Sequence, residues 1–373
     1  MTTVPQKLYA LGQSLWYDNI ERRLLENGEL EAMIQRGDIY GVTSNPSIFN
    51  NAIVNSSDYD AQLAELAKLG AGTAEIFDAL SIQDIQAACD LFLPLYQSSR
   101  GGDGYVSIEV HPDLAHDTAA TQAEVTRLWG LVDRPNLMVK IPATPEGVPA
   151  IRHAIAAGAN INITLIFSQQ RYAEVIEAYL AGLEERVENN LPIGHQASVA
   201  SFFISRIDSK IDGWLDAIVA EGGPRAAQAA ALKGKIAVAN ARLAYQLFKQ
   251  QFSSERFAVL QKKGARAQRP LWASTSTKNP EYPDLLYVDT LIGEQTVNTL
   301  PPQTLEAVKH HGKAELSIEA DLDAARAHLQ ELTELGLSLD QATTELEAEG
   351  VAAFSKAIQT LFEAIEQRAK AIG

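Results

Sequence analysis

Short apolar runs alternate with amphipathic helical sequence along most of the chain. The runs at 14–18, 39–43, 105–110, 137–141, 160–167, 197–203, 270–274 and 285–288 each read as a strand. Strands separated by helical sequence predict a parallel α/β arrangement, and eight of them suffice to close a (β/α)8 TIM-type barrel with helices outside. Parity along the strands adds more than their number. Successive strand residues face opposite ways, so Asn160, Asn162 and Thr164 share one face and Ile161, Ile163 and Leu165 the other. A plain core strand would not carry such a polar stripe, since an unpaired buried polar group costs ~1–3 kcal/mol. The same parity groups Trp16 with Asp18, Thr43 with Asn45, Ser107 with Glu109, Met138 with Lys140, and Ser201 with Phe203. Strands that each deliver a polar group near their C-terminal ends describe the mouth of a barrel pocket.

Between 206 and 262 the chain is Ala-rich and helical, broken at Glu221-Gly-Gly-Pro224. Towards the C-terminus, Val351, Phe354, Ile358, Leu361 and Ile365 recur at three- and four-residue spacing. That is one apolar helix face, expected to pack on the barrel or on a second subunit.

At the centre of the pattern is Leu137-Met-Val-Lys-Ile-Pro-Ala-Thr144, a buried-type strand that puts Lys140 near its end. A desolvated lysine amine gives up its proton more readily and is the nucleophile that forms Schiff bases with carbonyl compounds. The competing reading is a strand-end lysine that snorkels its head to water. Asp18 and Asn45 read equally well as turn residues, Glu109 as a structural partner of an arginine, and Arg206 and Lys278 as solvated charges.

Composition narrows the function. The chain has 373 residues, 46% hydrophobic, with 24 Gly and 15 Pro, and reads as one domain over 1–373. With 47 acidic residues against 31 basic ones the formal net charge is -16, which speaks against a broad nucleic-acid or anionic-membrane surface. An anionic substrate must then be met by a few local cations. A single cysteine, Cys89, excludes an intrachain disulfide and suits a reducing cytoplasm. It lies in helical sequence and reads as buried filler. Neither an apolar signal core nor a stretch of ~18 consecutive apolar residues occurs, so a soluble cytoplasmic protein is expected. His111, Asp113, His116 and Asp117 invite a metal reading, but their spacing matches none of the usual zinc signatures. His310-His311 reads as exposed. The glycosylation-type matches at Asn55 and Asn162 read as false positives, the second being on a buried strand.

Four segments, Gly-Val-Thr-Ser-Asn-Pro-Ser (41–47), Met-Val-Lys-Ile-Pro-Ala-Thr (138–144), Asn-Ile-Thr-Leu-Ile-Phe-Ser (162–168) and Ala-Ser-Thr-Ser-Thr-Lys-Asn-Pro (273–280), occur in this order. Together they resemble the transaldolase family, from about Leu15 to Val288, in its longer bacterial subgroup. The resemblance implies a Schiff-base α/β barrel of the pentose phosphate pathway. Such an enzyme uses no metal or organic cofactor and acts on small sugar phosphates as a monomer or homodimer. Lys140 would be the Schiff-base lysine and Asp18 the acid/base of carbon–carbon cleavage. Glu109 would act through a water also held by Thr164. Asn45 and Asn162 would hold sugar hydroxyls, and Ser201, Arg206 and Lys278 the phosphate, with Phe203 and Ser274 lining the same pocket. Many relatives carry arginine where Lys278 stands, and the Ser-Thr-Ser-Thr spacing is two residues longer. Lysine binds phosphate as a point charge without the arginine fork.

Overall fold

The computed structural model describes residues 2–372. Eight parallel strands close into a barrel in sequence order. They are β1 (Gln13–Tyr17), β2 (Gly41–Val42), β3 (Tyr105–Glu109), β4 (Leu137–Pro142), β5 (Ile161–Ile166), β6 (Ser198–Phe203), β7 (Arg269–Ala273) and β8 (Thr296–Leu300). Helices follow the strands and bury their apolar faces on the outside of the sheet. Among the described residues, no helix is long and apolar enough to cross a membrane.

Seven expected strands are present. The run 39–43 contracts to Gly41–Val42, and the eighth differs: 285–288 falls at a short helix, Leu286–Thr290, and the barrel closes with Thr296–Leu300. An apolar tetrad without alternation reads equally well as helix or strand. In Thr-Val-Asn-Thr-Leu, by contrast, β-branched residues and alternation coincide just before Pro301-Pro302, which ends the strand. β8 completes the ring by pairing with β1 and β7.

Parity holds where the strands are regular. Glu109 is opposite Lys140, Lys140 opposite Asn162, and Ser107 opposite Met138, so these side chains share the inner face. Asn160 is spent on backbone, donating to Pro135 O and Leu137 O and accepting from Ala197 N–H. Leu165 departs from the expected face: β5 carries an extra residue between Ile163 and Ile166 relative to β6, and Leu165 adopts a positive φ of 59° there. Its type gave no warning, because such positions favour glycine.

The lower end of the barrel holds a polar cluster centred on Asp103. Asp103 accepts from Ser14 Oγ at 2.6 Å and Trp16 Nε1 at 3.0 Å, with Arg269 3.3 Å away. The upper end is crossed by the C-terminal helix Leu339–Ile372. Its face Val351, Phe354, Ile358, Leu361 and Ile365 is buried, against the helices Pro46–Val54, Asp60–Lys68, Thr73–Ser98 and Ser205–Glu221 and against β5. Lys210 pairs with Glu345 and Glu349, and Arg171 with Glu347, fixing the first half of this helix over the strand ends.

Candidate active site

The C-terminal ends of the strands open into a cleft of about 210 Å³. Asp18, Thr43, Asn45, Lys140, Ser201 and Phe203 line it together with Arg206, Ser274, Ser276 and Lys278. All the residues singled out as cation, carboxylate or sugar ligand thus meet at one end of the barrel. Glu109 and Asn162, in register with Lys140, and Thr164, in register with Pro142, share the same inner face.

Lys140 owes its place to a tightly fitted turn. Asn136 donates to Cys89 O and Gly104 O, setting the start of β4. After Pro142 the chain turns so closely that a Cβ on Gly147 would stand 2.1 Å from Pro142 O, which only glycine allows. Thr144 Oγ1 accepts from Gly147 N–H at 3.0 Å in the turn that leads into the helix Gly147–Ala157. The Lys140 side chain is 6% exposed; its Nζ donates to Ser44 O at 3.3 Å and is 3.6 Å from Glu109 Oε2. The snorkelling alternative is excluded by this burial.

Glu109 is the perturbed acid of the site. Its side chain is 2% exposed. Burial pushes its carboxyl up to about 7, Lys140 pulling the other way and Asp18 adding to the rise. Neither carboxylate oxygen has a hydrogen-bond partner among the described residues, nor does the hydroxyl of Thr164. Asp18 is also raised, chiefly by burial, while Lys140 and a hydrogen bond from Thr43 oppose the rise. Two carboxyls of raised pKa beside a buried amine form a set suited to proton transfer.

The sugar-side residues divide by what already holds them. Asn45 caps the helix Pro46–Val54, its Oδ1 accepting from Ile48 N–H at 3.0 Å. The turn-residue reading is therefore correct for its oxygen, and Nδ2 is the end left to donate to a ligand. Asn162 is fixed in a chain, donating to Ser107 Oγ at 3.0 Å and accepting from Ser201 Oγ at 2.7 Å. Ser201 thereby commits its proton inside the barrel.

Two cations stand at the rim. Arg206 lies in the first turn of the helix Ser205–Glu221, its guanidinium 5.3 Å above the Phe203 ring. Lys278 Nζ donates to Ser276 Oγ at 2.6 Å. Burial lowers both, and Arg206 further lowers Lys278. Their mutual repulsion would be relieved by an anion between them. Ser274, at φ 56°, closes the loop below them: its carbonyl accepts from Ser205 N–H and its Oγ is 3.0 Å from Ser205 Oγ.

Sequence reasoning did not reach Ser44, Ser276, Thr299 or the placement of Phe354 in the cleft wall. Thr299 was hidden by the misplaced eighth strand, although its alternation with Val297 was a usable signal. The metal reading of the 111–117 segment dissolves into local roles. His111 Nδ1 accepts from Asp113 N–H, His116 pairs with Glu146, and Asp117 caps the helix Thr118–Val132. Among the described residues, no group of three or more metal-ligating side chains is gathered. Cys89 is buried, its thiol pushed up by desolvation, and His310 and His311 are exposed.

Residues 15–365 match the family described as transaldolase/fructose-6-phosphate aldolase. A protein of Trichodesmium erythraeum named transaldolase is 44% identical over 364 residues, covering 96% of each chain. The transaldolase of Thermobifida fusca is 46% identical, covering 97% of each. That of Acidothermus cellulolyticus is 47% identical over 98% of this chain and 96% of its own.

Proposed function

The chain belongs to the transaldolase/fructose-6-phosphate aldolase family, and from that premise we propose that the barrel mouth transfers dihydroxyacetone between sugar phosphates through an imine on Lys140. The activity is that of a transaldolase. A dihydroxyacetone unit moves reversibly from sedoheptulose 7-phosphate to glyceraldehyde 3-phosphate, giving erythrose 4-phosphate and fructose 6-phosphate, in the non-oxidative pentose phosphate pathway. The observation that carries the assignment is the burial of the Lys140 amine with Glu109 at 3.6 Å and with Asp18 lining the same cleft.

Lys140 Nζ adds to the ketose carbonyl, and loss of water from the carbinolamine leaves the imine. Protons must reach the departing oxygen and leave the nitrogen. Glu109 has the poise for both near neutral pH, acting through a water shared with Thr164. The protonated imine is an electron sink, so removal of a hydroxyl proton by Asp18 breaks the adjacent carbon–carbon bond. Asn45 and Asn162 orient the sugar hydroxyls, Asn162 being held by Ser201, and Arg206 and Lys278, with Ser274 at the rim, meet the phosphate. The three-carbon enamine stays on Lys140 until an acceptor aldehyde arrives.

A second reading within the family is cleavage with release of free dihydroxyacetone. Phe203 favours transfer: its ring lines the cleft, packed 5.3 Å from the Phe167 ring, and offers no hydroxyl to protonate the enamine. Phe203→Tyr should raise the ratio of released dihydroxyacetone to transferred product, and an unchanged ratio removes this role. The acidic balance and the single cysteine support a cytoplasmic enzyme without a nucleic-acid partner.

The test is incubation with fructose 6-phosphate, borohydride reduction and peptide mapping. A three-carbon adduct on Lys140 supports the mechanism. An adduct on a different lysine, or none despite bound sugar phosphate, overturns it.

A further inference from the structure

The strand that carries Asn162 and Thr164 holds one residue more than its neighbour needs. Ile163 lies opposite Ala200 and Ile166 opposite Phe202, three steps on β5 against two on β6. The surplus residue is Leu165, in the left-handed region at φ 59°. A Cβ makes that conformation unfavourable, and such strain persists only where the surroundings enforce it. Leu165 is fully buried, and the C-terminal helix packs on β5 at this point. A Cβ added to Gly350 would stand 2.8 Å from Leu165 Cδ2 and 3.3 Å from Cδ1. Gly350 sits inside a 34-residue helix, where glycine is the poorest former after proline, so the space it leaves explains its presence better than propensity does.

The bulge changes what β5 presents to the mouth. Before it, Thr164 faces inward, opposite Pro142. After it, Phe167 lies beside Phe203, with ring centroids 5.3 Å apart. Without the extra residue, Phe167 would fall on the outer face with Ile163.

We infer that Gly350 is a positioning residue: by leaving room for Leu165, the C-terminal helix holds the β5 bulge that fixes the chain directly after Thr164 and turns Phe167 to the inner face against Phe203. The inference rests on the proton-handling role proposed above for Thr164 and Glu109.

The test compares the full-length enzyme with Gly350→Ala, Thr164→Ala, the double variant, and Gly350→Ala combined with Leu165→Ala. The readouts are kcat and KM for fructose 6-phosphate with erythrose 4-phosphate acceptor, across pH values on both sides of 7. Gly350→Ala is expected to lower kcat by about tenfold to a hundredfold, the scale of a misplacement near 1 Å. KM should change by less than about twofold, and the pH limb governed by Glu109 should shift. The Thr164/Gly350 double variant should be no slower than Thr164→Ala alone, since the second change acts through the first. Leu165→Ala should return part of the lost kcat by vacating the crowded space. Wild-type kcat and pH profile in Gly350→Ala overturn the inference, and so does a loss that adds in full to that of Thr164→Ala. A Thr164→Ala enzyme of wild-type rate overturns the Thr164 role and this inference with it. A slow Thr164→Ala beside a normal Gly350→Ala overturns this inference alone.

Discussion

Thr43 Oγ1 donates to Asp18 Oδ1 at 2.6 Å and lies 2.6 Å from Thr299 Oγ1. A hydroxyl has one proton, so Thr299 must donate in the second contact, and the ends of β1, β2 and β8 are joined in one directed chain. This hydrogen bond holds the Asp18 carboxyl below the level to which burial alone would raise it. Thr43→Val deletes the donor, so Asp18 should become a still weaker acid. The acid limb of the transfer rate should then move to higher pH. A hydrogen bond to a charged group is worth ~1.5–3 kcal/mol, or about one to two pH units. A pH–rate profile superimposable on wild type would remove Thr43 from control of Asp18.

Asp18 and Glu109 serve different steps, and trapping separates them. With Asp18→Asn the imine should form but the carbon–carbon bond should survive, so borohydride should fix a six-carbon adduct on Lys140. With Glu109→Gln the adduct should keep its three carbons but accumulate more slowly. Each loss in turnover should fall within about 10²–10⁴-fold, the span of general acid–base catalysis. Mass spectra showing the opposite assignment would exchange the two roles.

What was legible in the sequence was local. Lys140, Glu109, Asn162, Ser201 and Phe203 were placed on the inner face by parity, which depends only on a residue's own strand. The apolar face from Val351 to Ile365 followed from helical spacing in the same way. What escaped was non-local. The helix at Leu286–Thr290 took an apolar tetrad that read as strand, because only closure against β1 and β7 selects Thr296–Leu300. Leu165 occupies a left-handed position that its side chain disguises. Phe354, more than 200 residues further along the chain than Lys140, reaches the cleft because the C-terminal helix lies across it. The site roles carried by the four motifs came from resemblance; the geometry adds that their side chains share one mouth.

The rim cations should matter only to phosphorylated substrates. Arg206 and Lys278 face the same cleft, each lowered by burial, and Arg206 adds repulsion on Lys278. Removing either should cost about ten- to a hundredfold in kcat/KM with glyceraldehyde 3-phosphate as acceptor, the worth of one charge-assisted hydrogen bond. With unphosphorylated glyceraldehyde the same variants should stay within about twofold of wild type. Lys278→Arg should retain phosphate selectivity if position rather than geometry is required. Equal losses with both acceptors would instead mean that these residues support the cleft's shape.

Away from the chemistry, Asp208 should make stability fall as the solution becomes more alkaline. Its Oδ1 accepts from Ala237 N–H at 2.8 Å and its Oδ2 from the Tyr287 hydroxyl at 2.9 Å. Burial nevertheless pushes its carboxyl from 3.8 up to about 7. Between those values the folded protein keeps a proton that the unfolded chain has released, so stability declines as pH rises through that window and levels off above it. Asparagine reproduces the protonated shape: its oxygen can accept from Ala237 N–H while its amide donates to Tyr287. Asp208→Asn should therefore flatten the dependence and exceed wild type by on the order of 2 kcal/mol above the window. Urea midpoints at about pH 5 and pH 8 measure it directly. Glu109, raised for the same reason, supplies a smaller slope of the same sign that persists in the variant. If wild type and Asp208→Asn lose stability in parallel between the two pH values, Asp208 does not carry the penalty.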